Sequence, residues 1–183
     1  MEEKLTKKEQ EALLRLARET IKEFLKNGKR KRFENENPKL NQPGGVFVTI
    51  KIDNNLRGCI GYITSPRPLY QTVIEAAIAA AVNDPRFTPL TIPELAKAKL
   101  EISVLTPPRE ITNIEEIEVG KHGLIITKGF NKGLLLPQVA SEEGWDRLTF
   151  LKYTCLKAGL LPDAWDKDAK IEIFSAQVFR ETK

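Results

Sequence analysis

Arg57 and Cys59 stand two residues apart in the hexapeptide Leu56-Arg57-Gly58-Cys59-Ile60-Gly61. In an extended segment that spacing puts both side chains on one face. A guanidinium beside a thiol favours the thiolate, which is the nucleophilic and metal-binding form. Gly58 and Gly61 interrupt the same run, and glycine inside a strand marks a bulge or a close approach to the backbone. Two readings follow: a reactive cysteine with an anion pocket floored by glycine amides, or a small buried cysteine on a tight turn. His122 is the one histidine in the chain. It would serve as the general base of a thiol–imidazole pair, or as a strand-start histidine bonded to backbone. Arg86, in Asp84-Pro85-Arg86-Phe87, has the forked donors that hold a carboxylate or phosphate. Its alternative is an ion pair with Asp84 or Glu75 that locks a helix exit. Gln138, in Leu136-Pro137-Gln138, offers a side-chain amide, or simply marks a strand end turning into a loop.

The candidate site is therefore Cys59 and His122 as catalytic groups, with Arg57, Gly58, Gly61, Arg86 and Gln138 binding substrate. No metal and no cofactor is expected. Cys155 falls on the apolar stripe of a helix and reads as core, and Trp145 and Trp165 read as packing residues.

These groups need elements to carry them. Thr6 and Glu9 form a capping box, and Leu13, Leu14, Ala17, Ile21, Phe24 and Leu25 recur at helical spacing up to Asn27-Gly28, a left-handed stop. A loop punctuated by Pro38 and Pro43 follows. Residues 46–52 are β-branched and read as a strand, 53–55 turn, and 56–60 return. Pro66 and Pro68 open a helix over 69–82, whose alanine-rich second half suits close packing on a sheet. Thr91 and Glu94 cap a short helix, and 100–105 alternate as a strand. The pattern then restarts with a strand from Gly123, a turn at 129–133 and a return at 134–136. A helix carrying Trp145, Leu148, Leu151, Cys155 and Ala158 on one stripe ends at Gly159, and 170–179 close the pattern as a strand.

The two halves resemble each other. Residues 45–49 (GVFVT) match 123–127 (GLIIT), and 98–102 (AKLEI) match 169–173 (AKIEI). The fold expected is α+β: one domain over 1–183 with two interlocked lobes around mixed or antiparallel sheets and a cleft between them. The lobes would be a degenerate duplication of a ββαβ unit spanning 45–105 and 123–178. Ordinary hairpins without shared origin are the alternative.

Composition narrows the function. Of 183 residues, 41% are hydrophobic and 30% charged, enough apolar material for a packed interior. The longest apolar run, 76–82, is far short of the ~20 residues a bilayer span needs. A cytoplasmic location without membrane association is expected, since the first residues lack a signal-peptide core. Two cysteines and one histidine are one ligand short of a closed four-ligand zinc site. The net charge of +4 is the charge of Lys29-Arg30-Lys31-Arg32 alone, so nucleic acid is a possible partner but not the favoured one. Gly58-Cys59-Ile60-Gly61 has the spacing of a KH-type loop, yet follows a strand and holds no basic residue. Walker, dinucleotide, Gly-x-Ser-x-Gly and His-Glu-x-x-His motifs are absent. Scarce Met, Cys and His beside abundant Lys and Glu lean towards a thermophile.

LRGCIG after a GVFVT strand, then DPRF, SVLTPP, KHGLII, and LLLPQVA before a tryptophan helix ending KAGL, resembles the AMMECR family. The hexapeptide is its hallmark and stands unaltered at Leu56 to Gly61. The resemblance implies an α+β protein with two lobes and a cleft, without an assigned biochemical activity. It also implies a pathway shared with Memo-type and radical-SAM proteins, and its eukaryotic members suggest a regulatory alternative. The function expected is a cleft-binding or enzymatic protein working through the LRGCIG turn on an unknown small molecule or protein. The alternative is a nucleic-acid-binding or protein-interaction module using Lys29 to Arg32.

Overall fold

The computed structural model describes residues 4–30, 33 and 35–182. The chain divides into two compact units, 1–105 with 177–183, and 106–176.

The first unit opens with α1 (Lys7–Asn27), capped by the reciprocal Thr6–Glu9 box and closed by Gly28 at φ 69°. Gly28 adopts the left-handed conformation that glycine takes most readily. The hairpin β1 (Gly45–Ile52) and β2 (Asn55–Tyr62) follows, with Asp53 and Asn54 both at positive φ in its turn. Next come α2 (Leu69–Val82) and α3 (Ile92–Lys97), the latter capped by Thr91 and Glu94 as expected. Strand β3 (Lys99–Leu105) then pairs antiparallel with β1. Val46, Val48 and Ile50 of β1 and Leu100, Ile102 and Val104 of β3 enter one core with Leu13, Ala17 and Ile21 of α1 and the apolar side chains of α2. Alternation explains the sheet contribution: period-two residues share a face.

The alanines of α2 have a specific purpose. A Cβ built on Gly58 would lie 2.2 Å from the carbonyl oxygen of Ala80. Helix and strand therefore meet backbone to backbone, which small residues on both sides permit. This contact holds the hexapeptide against α2.

The second unit contains β4 (Arg109–Ile111), β5 (His122–Lys128), β6 (Asn131–Leu135), α4 (Pro137–Glu142) and α5 (Arg147–Lys157). The last strand, β7 (Lys170–Arg180), begins here and ends in the first unit. Within this unit β5 pairs antiparallel with both β6 and β7, and β4 pairs with β7. Leu124, Ile126, Phe150, Leu151, Cys155, Ile171 and Ile173 form its core. Cys155 is fully buried, as the helical stripe predicts. Trp145 stacks on Tyr153, with ring centroids 4.3 Å apart and planes 6° apart, and Trp165 packs against the core.

Each unit thus has a hairpin, a helix and a third strand antiparallel to the first, the α+β order expected. The residue-by-residue match does not carry into the pairing. Thr49 faces Glu101, whereas Thr127 faces Lys170 and Glu172 faces Ile125. Residues 137–142 form a helix instead of a loop, because Pro137 occupies its first turn, where a missing N–H costs nothing. Leu148 is exposed and so falls off the buried stripe of α5, which holds Phe150, Leu151, Thr154 and Cys155. No helix among the described residues is long and apolar enough to cross a membrane.

Candidate functional site

Residues of the hexapeptide are positioned by β2 and by what β2 touches. Gly61 pairs with Phe47, and a Cβ there would fall 2.2 Å from the carbonyl oxygen of Val46. Gly58 is closed off by α2 in the same way. The two glycines serve close backbone packing, the second of the uses expected of strand glycines.

Between them the ladder shifts. Ile50 faces Gly58 but Lys51 faces Leu56, so Arg57 is the extra residue of a bulge. A bulge re-aims the side chain it carries, and that corrects the reading of Arg57 as the neighbour of the thiol. Its Nε donates to Glu94 Oε1 at 2.9 Å and its Nη2 to Glu94 Oε2 at 3.3 Å. The same Nη2 reaches the carbonyl of Pro89 at 3.4 Å. Glu94 is itself tied down by the amide and hydroxyl of Thr91. The Arg57 guanidinium and then Thr91 hold the Glu94 carboxyl down to about 2.

Cys59 has different company. Its sulfur accepts a hydrogen bond from Thr49 Oγ1 at 3.2 Å, the residue directly across the ladder. Its backbone N–H donates to Asp84 Oδ2 at 2.9 Å. Asp84 is buried, and Arg86 clasps it through Nε to Oδ1 at 2.9 Å and Nη2 to Oδ2 at 2.7 Å. Arg86 Nη2 also reaches the carbonyl oxygen of Cys59 at 3.4 Å. One carboxylate thus fixes both the strand and the guanidinium, and these donors, Arg86 first, hold its pKa far below the usual carboxylate range.

The thiol is not primed as a thiolate. Burial pushes the Cys59 pKa up, and the Thr49 hydroxyl and the charge of Arg86 offset this only in part. The expected depression needed an unpaired cation next to sulfur. The structure gives Arg57 to Glu94 and Arg86 to Asp84, so the thiol is protonated at rest.

Phe87 completes the cluster. The guanidinium carbons of Arg57 and Arg86 lie 5.8 and 5.5 Å from its ring centroid, within reach of cation–π attraction. Nη1 of each arginine has no hydrogen-bond partner among the described residues, and the Arg86 side chain is half exposed. The arrangement is a thiol, two oriented guanidinium groups with donors to offer, and an aromatic face.

The other two candidates lie in the second unit. His122 Nδ1 accepts the backbone N–H of Glu118 at 3.1 Å, which is the backbone-bonded alternative, and leaves the proton of the neutral ring on Nε2. Gln138 sits in the first turn of α4, its Oε1 buried without a partner among the described residues. Cys59 is hydrogen-bonded within the first unit and His122 within the second. Of the basic run, Arg30 lies 3.7 Å from Glu75, while Lys31 and Arg32 lie outside the described residues. No group of three or more His, Cys, Asp or Glu is gathered as for a metal ion among the described residues.

Sequence reasoning did not find Thr49, Glu94 or Phe87 as parts of this cluster. Thr49 could have been found by pairing the hairpin residue by residue, and Phe87 by its place next to Arg86. Glu94 carried only its capping signature.

Comparison with known proteins gives these features a family. Protein MK0488 of Methanopyrus kandleri is 49% identical over 191 aligned residues, covering 99% of this chain and 92% of that protein. Protein PH0010 of Pyrococcus horikoshii is 48% identical, covering 93% of this chain and 89% of the relative. The crystal structure of uncharacterized protein PH0010 matches with a TM-score of 0.89 at 47% identity, over 94% of this chain and 91% of that one. Thermophile relatives fit the Lys- and Glu-rich composition. The AMMECR1 family model matches residues 14–179, a span containing most of the first unit's core, all of the second's and the whole cluster around Cys59, and the chain belongs to that family.

Proposed function

We propose that this chain binds, and chemically transforms, a small anionic molecule at the LRGCIG turn, with Arg57 and Arg86 as the orienting groups and Cys59 as the reacting one. The observation that carries this reading is the Asp84 clasp. A buried carboxylate holds the Cys59 amide and one edge of the Arg86 guanidinium, while Nη1 stays available. Removing such a group from water is costly, and here the result is a fixed thiol beside a fixed donor. Phe87 supplies a flat apolar wall for the non-ionic part of the ligand. Because burial keeps the sulfur protonated, Cys59 enters the chemistry as a thiol that loses its proton only with the ligand in place. His122 Nδ1 is taken by the Glu118 amide, so that proton passes to solvent water.

A thermal-shift screen of small carboxylates tests the reading, run on the wild type, Arg86→Ala and Cys59→Ser. A binder should stabilise the wild type saturably, lose its effect in Arg86→Ala and keep it in Cys59→Ser, while turnover of that binder should disappear in Cys59→Ser. If none binds, or if binding survives Arg86→Ala, the site is a structural clasp.

A further inference from the structure

A second feature of the first unit lies apart from this cluster. A cavity of about 320 Å³ is lined by Lys51, Asp53, Lys97, Lys99, Glu101 and Arg180, with Glu181 at its wall. The four cations come from four elements: β1, α3, β3 and β7. Glu181 is already neutralised, since Arg18 takes both its oxygens at 2.6 Å and the N–H of Leu100 donates to it at 2.8 Å. Glu101, almost fully buried, is approached by Lys51 at 3.5 Å and Arg180 at 3.8 Å, both beyond hydrogen-bond range. None of the four cations donates a hydrogen bond among the described residues, and Lys97 and Lys99 have no ion pair there either. With Glu181 occupied, four positive charges face two negative ones, Asp53 and Glu101.

Like charges gathered around a concavity with their donors unused are what an incoming anion relieves. We propose that this cavity binds the phosphoryl group of a small phosphorylated molecule, with Lys97 and Lys99 as the principal contacts and Lys51 and Arg180 turning from Glu101 towards the ligand. A compact phosphoryl group fits the confined volume. An extended nucleic-acid backbone would instead run its phosphates past the carboxylates of Asp53 and Glu101, which repel it. Cys59 is not among the residues that line the cavity.

Titration of the full chain with inorganic pyrophosphate, followed by calorimetry at low and moderate salt, tests this. Saturable binding is expected, weakened at least about tenfold by the double substitution Lys97→Ala with Lys99→Ala and lessened by salt. Cys59→Ser should leave it unchanged. Lys97 and Lys99 are exposed, so their loss should not unfold the protein, and an unaltered melting temperature would show that. Absence of saturable binding, or binding indifferent to the lysine pair, overturns the proposal. So does a single-stranded oligonucleotide that competes through the same lysines and binds more tightly than pyrophosphate.

Discussion

The backbone amide of Cys59 donates to the carboxylate of Asp84 at 2.9 Å, across 25 residues that include the whole of α2. The conformation of the hexapeptide therefore depends on a side chain at the far end of that helix. Asp84→Ala would strand a buried N–H and leave Arg86 without its partner. A loss of about 2–4 kcal/mol in urea-unfolding stability is expected, well above the effect of a surface carboxylate. A change under about 0.5 kcal/mol would show that the clasp contributes little.

Acid should weaken the first unit at these carboxylates. Asp84 and Glu94 both have folded pKa values below those of the unfolded chain, Glu94 at about 2. A depressed carboxylate contributes stability that is complete above its unfolded pKa of ~4 and fades as pH falls towards the folded value. Melting temperature should accordingly hold down to about pH 4.5 and then decline towards pH 2. In Glu94→Gln the decline should be shallower, and an identical acid limb in the two proteins would remove Glu94 from the account.

Cys59 should alkylate slowly at neutral pH. Burial raises its pKa, so the iodoacetamide rate should keep climbing above pH ~9. Cys59 is half-buried and Cys155 buried, which puts Cys59 first in order of labelling. Thr49→Val removes the hydroxyl donor and should move the rate profile to still higher pH. A profile that levels off near pH 7 would instead reveal a thiolate.

The glycines of the hexapeptide should be intolerant for reasons of space. Gly58→Ala and Gly61→Ala each force a methyl to 2.2 Å from a carbonyl oxygen of packed backbone. A loss of roughly 2–4 kcal/mol is expected for each. Gly28→Ala meets open space and faces only its positive φ, so about 1 kcal/mol is expected. Equal losses at all three positions would mean that conformation, not crowding, governs them.

Much of the scaffold could be read from local patterns. The Thr6–Glu9 and Thr91–Glu94 boxes, the 46–60 hairpin and the alanine-rich helix are set by short-range sequence, and the ion pair of Arg86 with Asp84 was one of two partners offered by spacing. Arg57 was misread because strand alternation assumes an unbroken ladder. One extra residue between Leu56 and Gly58 turns the side chain from Cys59 to Glu94, and nothing local announces such a bulge. The thiol pKa followed the same error. Pro137 opens α4 where one sequence reading has a strand end turning into a loop, since proline serves both ends of an element.

Strand β7 begins in one unit and finishes in the other, and residues 177–182 place Phe179 in the first core and Glu181 in the grip of Arg18. A ribosome delivers residues in order, and domains tend to fold as they emerge. Here the first unit to begin emerging is the last to be completed. Every residue of 106–176 is synthesised while α1, the hairpin and α2 wait for their closing strand. A nascent chain arrested near residue 110 should hold Arg18 without its carboxylate and a core short of one phenylalanine, a half-made protein for chaperones to shelter.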